Sequence, residues 1–349
     1  MRALKLLLLF IFILIPLTGC GNLLYVSRLG WHQAAITFNS VPIQEILEDE
    51  GINPEVKEKI RLIQEVKRFG EERLGLEGRK SYTKFFEIRG PILYIITASE
   101  RDRLQLCSWD FPVVGKVTYK SFFTREEALE EEKLLQGKGF DTFIQRVGAY
   151  STLGWLKDPI LSTMLKWEDS GLANLVLHEM THATVYLKGQ TDFSEQVATF
   201  VGDQGAIDFM TEKYGPGSKE ALRAIDLQKD DILFARFVEQ ACTRLSNFYA
   251  EEISRDEKLK GRSEIFQSIQ EEFREIKAQF KTEDCPDFDK IDINNAVLLA
   301  YRRYILNLEK YEALYESLGR DLKKVVRFFK EIKASGEDSS SVTFPSSLQ

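Results

Sequence analysis

The pentapeptide His178-Glu179-Met180-Thr181-His182 constrains this chain more than any other stretch. It lies in a run that reads as helix over about 170–188. On a helix, positions four apart stand one above the other on the same face. His178 and His182 can therefore hold one metal ion between them, and Glu179 flanks it closely enough to touch a metal-bound water. The chain has only three histidines, and two are in this motif. The plainer alternative is a buried helix carrying two satisfied histidines.

Two histidines do not complete a catalytic zinc site, which uses three protein ligands and leaves one position for water. The candidate third ligand is Glu195, which follows His182 by 13 residues with Gly189 marking a turn between. That is enough chain to fold a second helix back beside the first. Ala198 and Gly202 are small residues near the Glu195 face and would let the two helices approach. A local role competes: Asp192 and Glu195 have the spacing of a capping box, in which Glu195 returns to the Asp192 amide. Asp203 is a candidate for orienting a metal-bound histidine, since such rings donate their other nitrogen to a carboxylate or carbonyl; otherwise it faces solvent. In this scheme one Zn2+ held by His178, His182 and Glu195 activates a water, and Glu179, not itself a ligand, serves as general base. The oxyanion needs a further donor. With no spare histidine nearby, the candidates are Tyr150, Tyr186 and Tyr304, each of which could equally be a packed aromatic.

The N-terminus reads as a targeting segment over 1–19. Arg2 and Lys5 precede an apolar run over 6–17, and Leu17-Thr18-Gly19-Cys20 closes it. The run is too short for an ordinary spanning helix, which needs about 20 residues. The closing residues resemble a bacterial lipobox, which implies cleavage before Cys20, lipidation of its thiol and a lipid-anchored protein in the cell envelope, outside the cytoplasm. A plain secretory signal is the alternative. Cys107, Cys242 and Cys285 then remain, so at most one disulfide forms, and buried structural thiols are expected. The net charge of −7, with no basic block after the N-terminus, speaks against a nucleic-acid partner.

Along the chain, 22–40 is expected to leave the membrane and pack through Trp31, His32 and Phe38. Two helices follow, split at Gly51-Ile52-Asn53-Pro54, with Pro54 suited to a first turn. Strands are expected over 92–97, around Gly115 and over 141–147. A charged helix over 125–137 lies among them, begun by Thr124 with Glu127 three residues on. Helices fill the remainder, over about 218–256, 263–281, 294–317 and 319–334. The tail 335–349 is Ser-rich and aperiodic, the composition of a disordered segment. The fold class is α+β: mostly helical, with a small sheet before the metal-binding helix. The domain plan is a signal peptide over 1–19, a single domain over 20–334 with its sheet near 80–155, and the tail.

Several blocks together resemble the bacterial predicted aminopeptidases, often lipoproteins, within the gluzincin-type zinc metallopeptidases. They are Ala149-Tyr150-Ser151-Thr152-Leu153-Gly154-Trp155 with Asp158-Pro159, the His178 to His182 motif, Tyr186-Leu187-Lys188-Gly189, and Glu195 with Ala198-Thr199. Phe111 to Gly115 and Asn294-Asn295-Ala296 match as well. One departure is Ser194, where many members place Asn. The resemblance implies a zincin-like fold and a peptide substrate. It also implies an edge strand, formed here by Gly148, Ala149, Tyr150, Ser151 and Thr152, that pairs with the substrate backbone. This stretch lacks the glutamate that such enzymes use to hold a free amine; Glu168 or Asp169 is a possible substitute. Resemblance further suggests that Asn295 lines the site, with helix capping by Asn294 or Asn295 as the competing role. The reading is a zinc aminopeptidase. Its alternatives are a zinc endopeptidase or amidase on a cell-envelope substrate, and a non-catalytic metal-binding lipoprotein that binds a partner.

Overall fold

A computed structural model describes residues 20–78, 81–88, 93–111, 115–147, 158–305, 308–336, 342 and 344. The chain divides into two units, Met1–Asn39 and Ser40–Gln349. Within the first, a single helix α1 spans Cys20–Asn39. Trp31 and Phe38, expected to pack, are instead 77% and 85% exposed.

The second unit opens with strand β1 (Val41–Pro42) and helices α2 (Ile43–Glu48) and α3 (Pro54–Phe69). Asn53 caps α3 by accepting from the Glu55 amide, and Pro54 fills the first turn, where a missing N–H costs nothing. After α3 the chain forms a π turn over Gly70–Leu74. Strands β2 (Lys84–Phe86), β3 (Leu93–Ser99), β4 (Trp109–Phe111), β5 (Gly115–Val117) and β6 (Lys120–Phe122) follow. Then come α4 (Arg125–Gly137), β7 (Asp141–Val147) and β8 (Ile160–Leu161). A 3-10 turn at Met164–Lys166 follows β8. The helical part comprises α5 (Asp169–Val185), α6 (Thr191–Tyr214), α7 (Lys219–Ala250) and α8 (Arg255–Lys277), then α9 (Asn295–Ile305), α10 (Leu308–Ser317) and α11 (Leu322–Ser335).

The chain is mostly helical with small sheets, as the α+β reading expects. The main sheet is antiparallel in the order β6-β3-β7, with Tyr94 opposite both Phe122 and Arg146. Helices α4 and α9 pack on it. Helix α5, which carries the histidine motif, is surrounded by α3, α6, α7 and α11. Its Leu172, Ala173, Val176 and Leu177 are fully buried. A second core of Phe234, Phe237, Phe273, Phe288 and Val297, with Tyr301 packed against it, ties α7 and α8 to α9. Cys107, Cys242 and Cys285 are all free thiols; Cys242 is buried and the other two half-buried.

Candidate metal centre

Helix α5 ends earlier than its sequence suggests. Tyr186 already has extended backbone, so the helix stops at Val185 and Gly189 is not its cap. Gly189 instead occupies the third position of a turn closed by Gln190 N–H donating to the Leu187 carbonyl at 3.1 Å. Its φ of +78° is one that side chains disfavour. Ser194 locks this turn to α6: its hydroxyl accepts from the Leu187 amide at 3.1 Å and donates to the Gln190 carbonyl at 3.0 Å. That gives the serine a structural task at the position where the resemblance expects asparagine. The turn sends α6 back along α5. A Cβ on Gly202 would lie 2.9 Å from Asn174 Oδ1 and 3.2 Å from His178 Cβ, so the helices approach closely only because Gly202 has none.

This pairing brings His178, His182 and Glu195 together. Nε2 of His178 lies 3.1 Å from Nε2 of His182, and Glu195 Oε2 is 3.5 Å and 3.3 Å from the two rings. A tetrahedral ion with bonds of about 2.0–2.1 Å sets its ligand atoms roughly 3.3 Å apart. The three atoms thus form the base of such a site without adjustment. Among the described residues they are the one cluster of at least three potential metal-ligating side chains. The capping-box alternative for Glu195 fails: α6 begins at Thr191, its flanking Gln190 makes no side-chain cap, and Asp192 faces Thr118 and Arg303. Burial raises the Glu195 carboxyl, but the His182 and His178 rings outweigh this and hold it well below the usual range.

Glu179 and His178 are half-buried while His182 and Glu195 are buried, so the centre opens toward Glu179. Burial pushes the Glu179 carboxyl up to about 7; His178 pulls it down, and Glu195 and Asp158 push it further up. A carboxyl held near neutrality can take up a proton and release it again.

Of the three tyrosine candidates, Tyr150 lies outside the described residues, as do Gly148, Ala149, Ser151 and Thr152. Tyr186 is no longer on the helical face of His182. Its phenol is raised by burial, lowered by a hydrogen bond with Thr191, and raised by Glu195. Tyr304 on α9 is raised by burial and then by Glu195, lowered by Arg303, and raised further by Glu179. Tyr119, which the sequence did not single out, is raised by burial and then by Glu195, with Tyr304 and Tyr186 acting on it too.

Three expectations need correction. Asp203 orients neither histidine; it is buried and accepts from Asn174 Nδ2, while His182 Nδ1 is buried without a partner among the described residues. Asn295 cannot line the site. It is 0% exposed, its Nδ2 donates to the Glu100 and Arg103 carbonyls, and its Oδ1 accepts from Tyr249. Asn294 is the cap, accepting from the Val297 amide at 3.1 Å. Glu168 and Asp169 do not reach the centre: Asp169 pairs with Lys59 at 2.7 Å and Glu168 lies 4.0 Å from Arg223. At 1.5 Å per residue, Asp169 is about 15 Å along the helix from Glu179.

A paired His-x-x-x-His helix, with a carboxylate from the next helix and a further glutamate beside it, is an arrangement that could hold a metal ion. The chain belongs to a family described as "Putative aminopeptidase", whose sequence profile matches residues 24–341. Neither a curated protein nor a solved structure matches it.

Proposed function

We propose that this chain is a zinc-dependent aminopeptidase of the cell envelope, tethered by lipid on Cys20. The observation that carries the reading is the triangle of Nε2, Nε2 and Oε2 at 3.1, 3.5 and 3.3 Å, with Glu179 beside it and not in it. When bound there, zinc supplies a Lewis acid and makes a water acidic enough to ionise near neutral pH. The other steps belong to the chain. Glu179 takes the proton of the attacking water and passes it to the departing amine. Tyr304, whose phenol is raised by burial and by the Glu195 and Glu179 carboxylates, is the residue we assign to donate a hydrogen bond to the developing oxyanion. The four surrounding helices fix the three ligands in place, so the geometry exists before the substrate arrives.

Purified protein is expected to hold about one zinc per chain. A clean preparation that binds none, even after zinc is added, sinks the site. Peptides with free and acetylated N-termini test the exopeptidase assignment. Cleavage of the free peptides alone supports it. Equal cleavage of both makes the protein an endopeptidase acting at the same centre, and turnover of amides but no peptides makes it an envelope amidase.

A further inference from the structure

Helix α1 ends in an unusual way for a segment that enters a globular unit. Trp31 and Phe38 are 77% and 85% exposed, the two most exposed large apolar side chains among the described residues. Scattered apolar residues on a surface need no explanation, but aromatic groups this exposed on one helix do. Positions 31 and 38 are seven residues apart, two turns, and so lie on one face. Position 20, the first of the helix, precedes position 31 by eleven residues, three turns, and falls within about 20° of the same line. The residue proposed to carry the lipid therefore shares its stripe with the two exposed aromatics.

The charge distribution adds an independent observation. From Cys20 to Gln44 the chain carries no Asp or Glu and one basic residue, Arg28, although the whole protein has 54 acidic residues and a net charge of −7. An acid-free segment can lie against anionic headgroups, where the rest of so acidic a chain would be repelled. No helix among the described residues is long and apolar enough to cross a membrane. A helix with exposed aromatics, no acidic groups and a lipid at its start has the features of one that rests in the interface, where Trp is favoured.

We infer that α1 lies along the membrane surface, with Trp31 and Phe38 inserted among the lipid headgroups on the same side as the Cys20 anchor. The inference rests on the proposed envelope location. It makes α1 a second, non-covalent attachment to the bilayer that begins where the covalent one ends.

The test uses the full chain, expressed with its leader and reconstituted into phosphatidylethanolamine–phosphatidylglycerol vesicles with brominated acyl chains. Comparing the wild type with Trp31→Phe isolates this tryptophan among the four in the chain. The wild type should show a quenched component, roughly half or more of the Trp31 emission, that Trp31→Phe lacks and that aqueous iodide does not reach. Equal bromolipid quenching of the two proteins, with Trp31 open to iodide, overturns the inference. Shielding of Trp31 from both quenchers also overturns it, because protein and not lipid then covers this face. The mass of the peptide containing Cys20 reports acylation separately. An acylated chain with Trp31 open to iodide removes the docking and leaves the anchor standing. An unacylated chain with Trp31 still quenched by bromolipid does the reverse.

Discussion

Two buried polar clusters, one where strand β7 meets α8 and α9 and one between α5 and α6, differ in one respect. Around Asp141 the carboxylate itself is fully paired, although the Arg101 Nε 3.3 Å from it is buried without a hydrogen-bond partner among the described residues. The Asp141 carboxylate takes both ends of the Arg262 guanidinium at 2.6 and 3.0 Å and the Asn295 amide at 3.2 Å. Asn295 in turn uses both donors and its acceptor on protein partners. Around Glu195 the groups converge without satisfying one another. Two ring nitrogens face each other at 3.1 Å, so at most one of them can donate to the other, and the buried Nδ1 of His182 has no partner among the described residues. Buried polar groups are normally paired. A closed network of that kind holds the fold together, and a convergent, under-satisfied one is a place prepared for something else.

The contrast can be broken by experiment. Glu179→Gln should lower kcat/KM by about 10²–10⁴ while leaving the metal content unchanged, measured by steady-state kinetics beside elemental analysis. Retained activity removes the general base. Asp141→Ala should do the opposite, costing about 3–5 kcal/mol in denaturant unfolding by stranding the buried Arg262 charge, with metal per folded chain unaltered. A small loss there would mean that the closed network is not structural after all. Tyr304→Phe should reduce kcat by about 10²–10³ with little change in KM; a change confined to KM would assign this tyrosine to binding.

The smallest effect concerns a third arrangement, the aspartates Asp203 and Asp231, whose carboxyls are both raised. Burial and then Asp231 raise Asp203; burial, then Asp230 and Asp284, push Asp231 up to about 7. The folded protein therefore holds more protons than the unfolded chain between the ordinary aspartate range and pH 7. Stability contributed by the protonated carboxyls is fully present below pH 4 and is lost as pH rises through about 7. Asp231→Asn should flatten that slope in metal-free protein, as followed by unfolding midpoints across pH.

Local physics was easy to see in the sequence. The four-residue histidine spacing, the Thr124 cap on the Glu127 amide and the Asn53-Pro54 start of α3 all depend on near neighbours. Glu195 was within reach because one short turn separates it from His182. Two helix boundaries were missed for a similarly local reason. The run read as 218–256 stops at Ala250, and Ser254 with Glu257 forms a capping box that begins α8. That signal was present and was overrun by continuous periodicity. Tyr119, Asp158 and the true setting of Asn295 could not be read, because each depends on chain segments that meet only after folding. The exposure of Trp31 and Phe38 ran against composition, which favours burying such residues.

Gly202 has a consequence for which ion the proposed site would accept. Its missing side chain sets the spacing between α5 and α6, and that spacing sets the edges of the donor triangle. Ions with bonds near 2.0–2.1 Å fit those edges, whereas calcium, at about 2.3–2.6 Å and with more ligands, does not. The glycine acts as a calliper on ionic radius. Adding one methyl group there would widen the gap between the helices and shift the selectivity toward larger cations before it abolished binding.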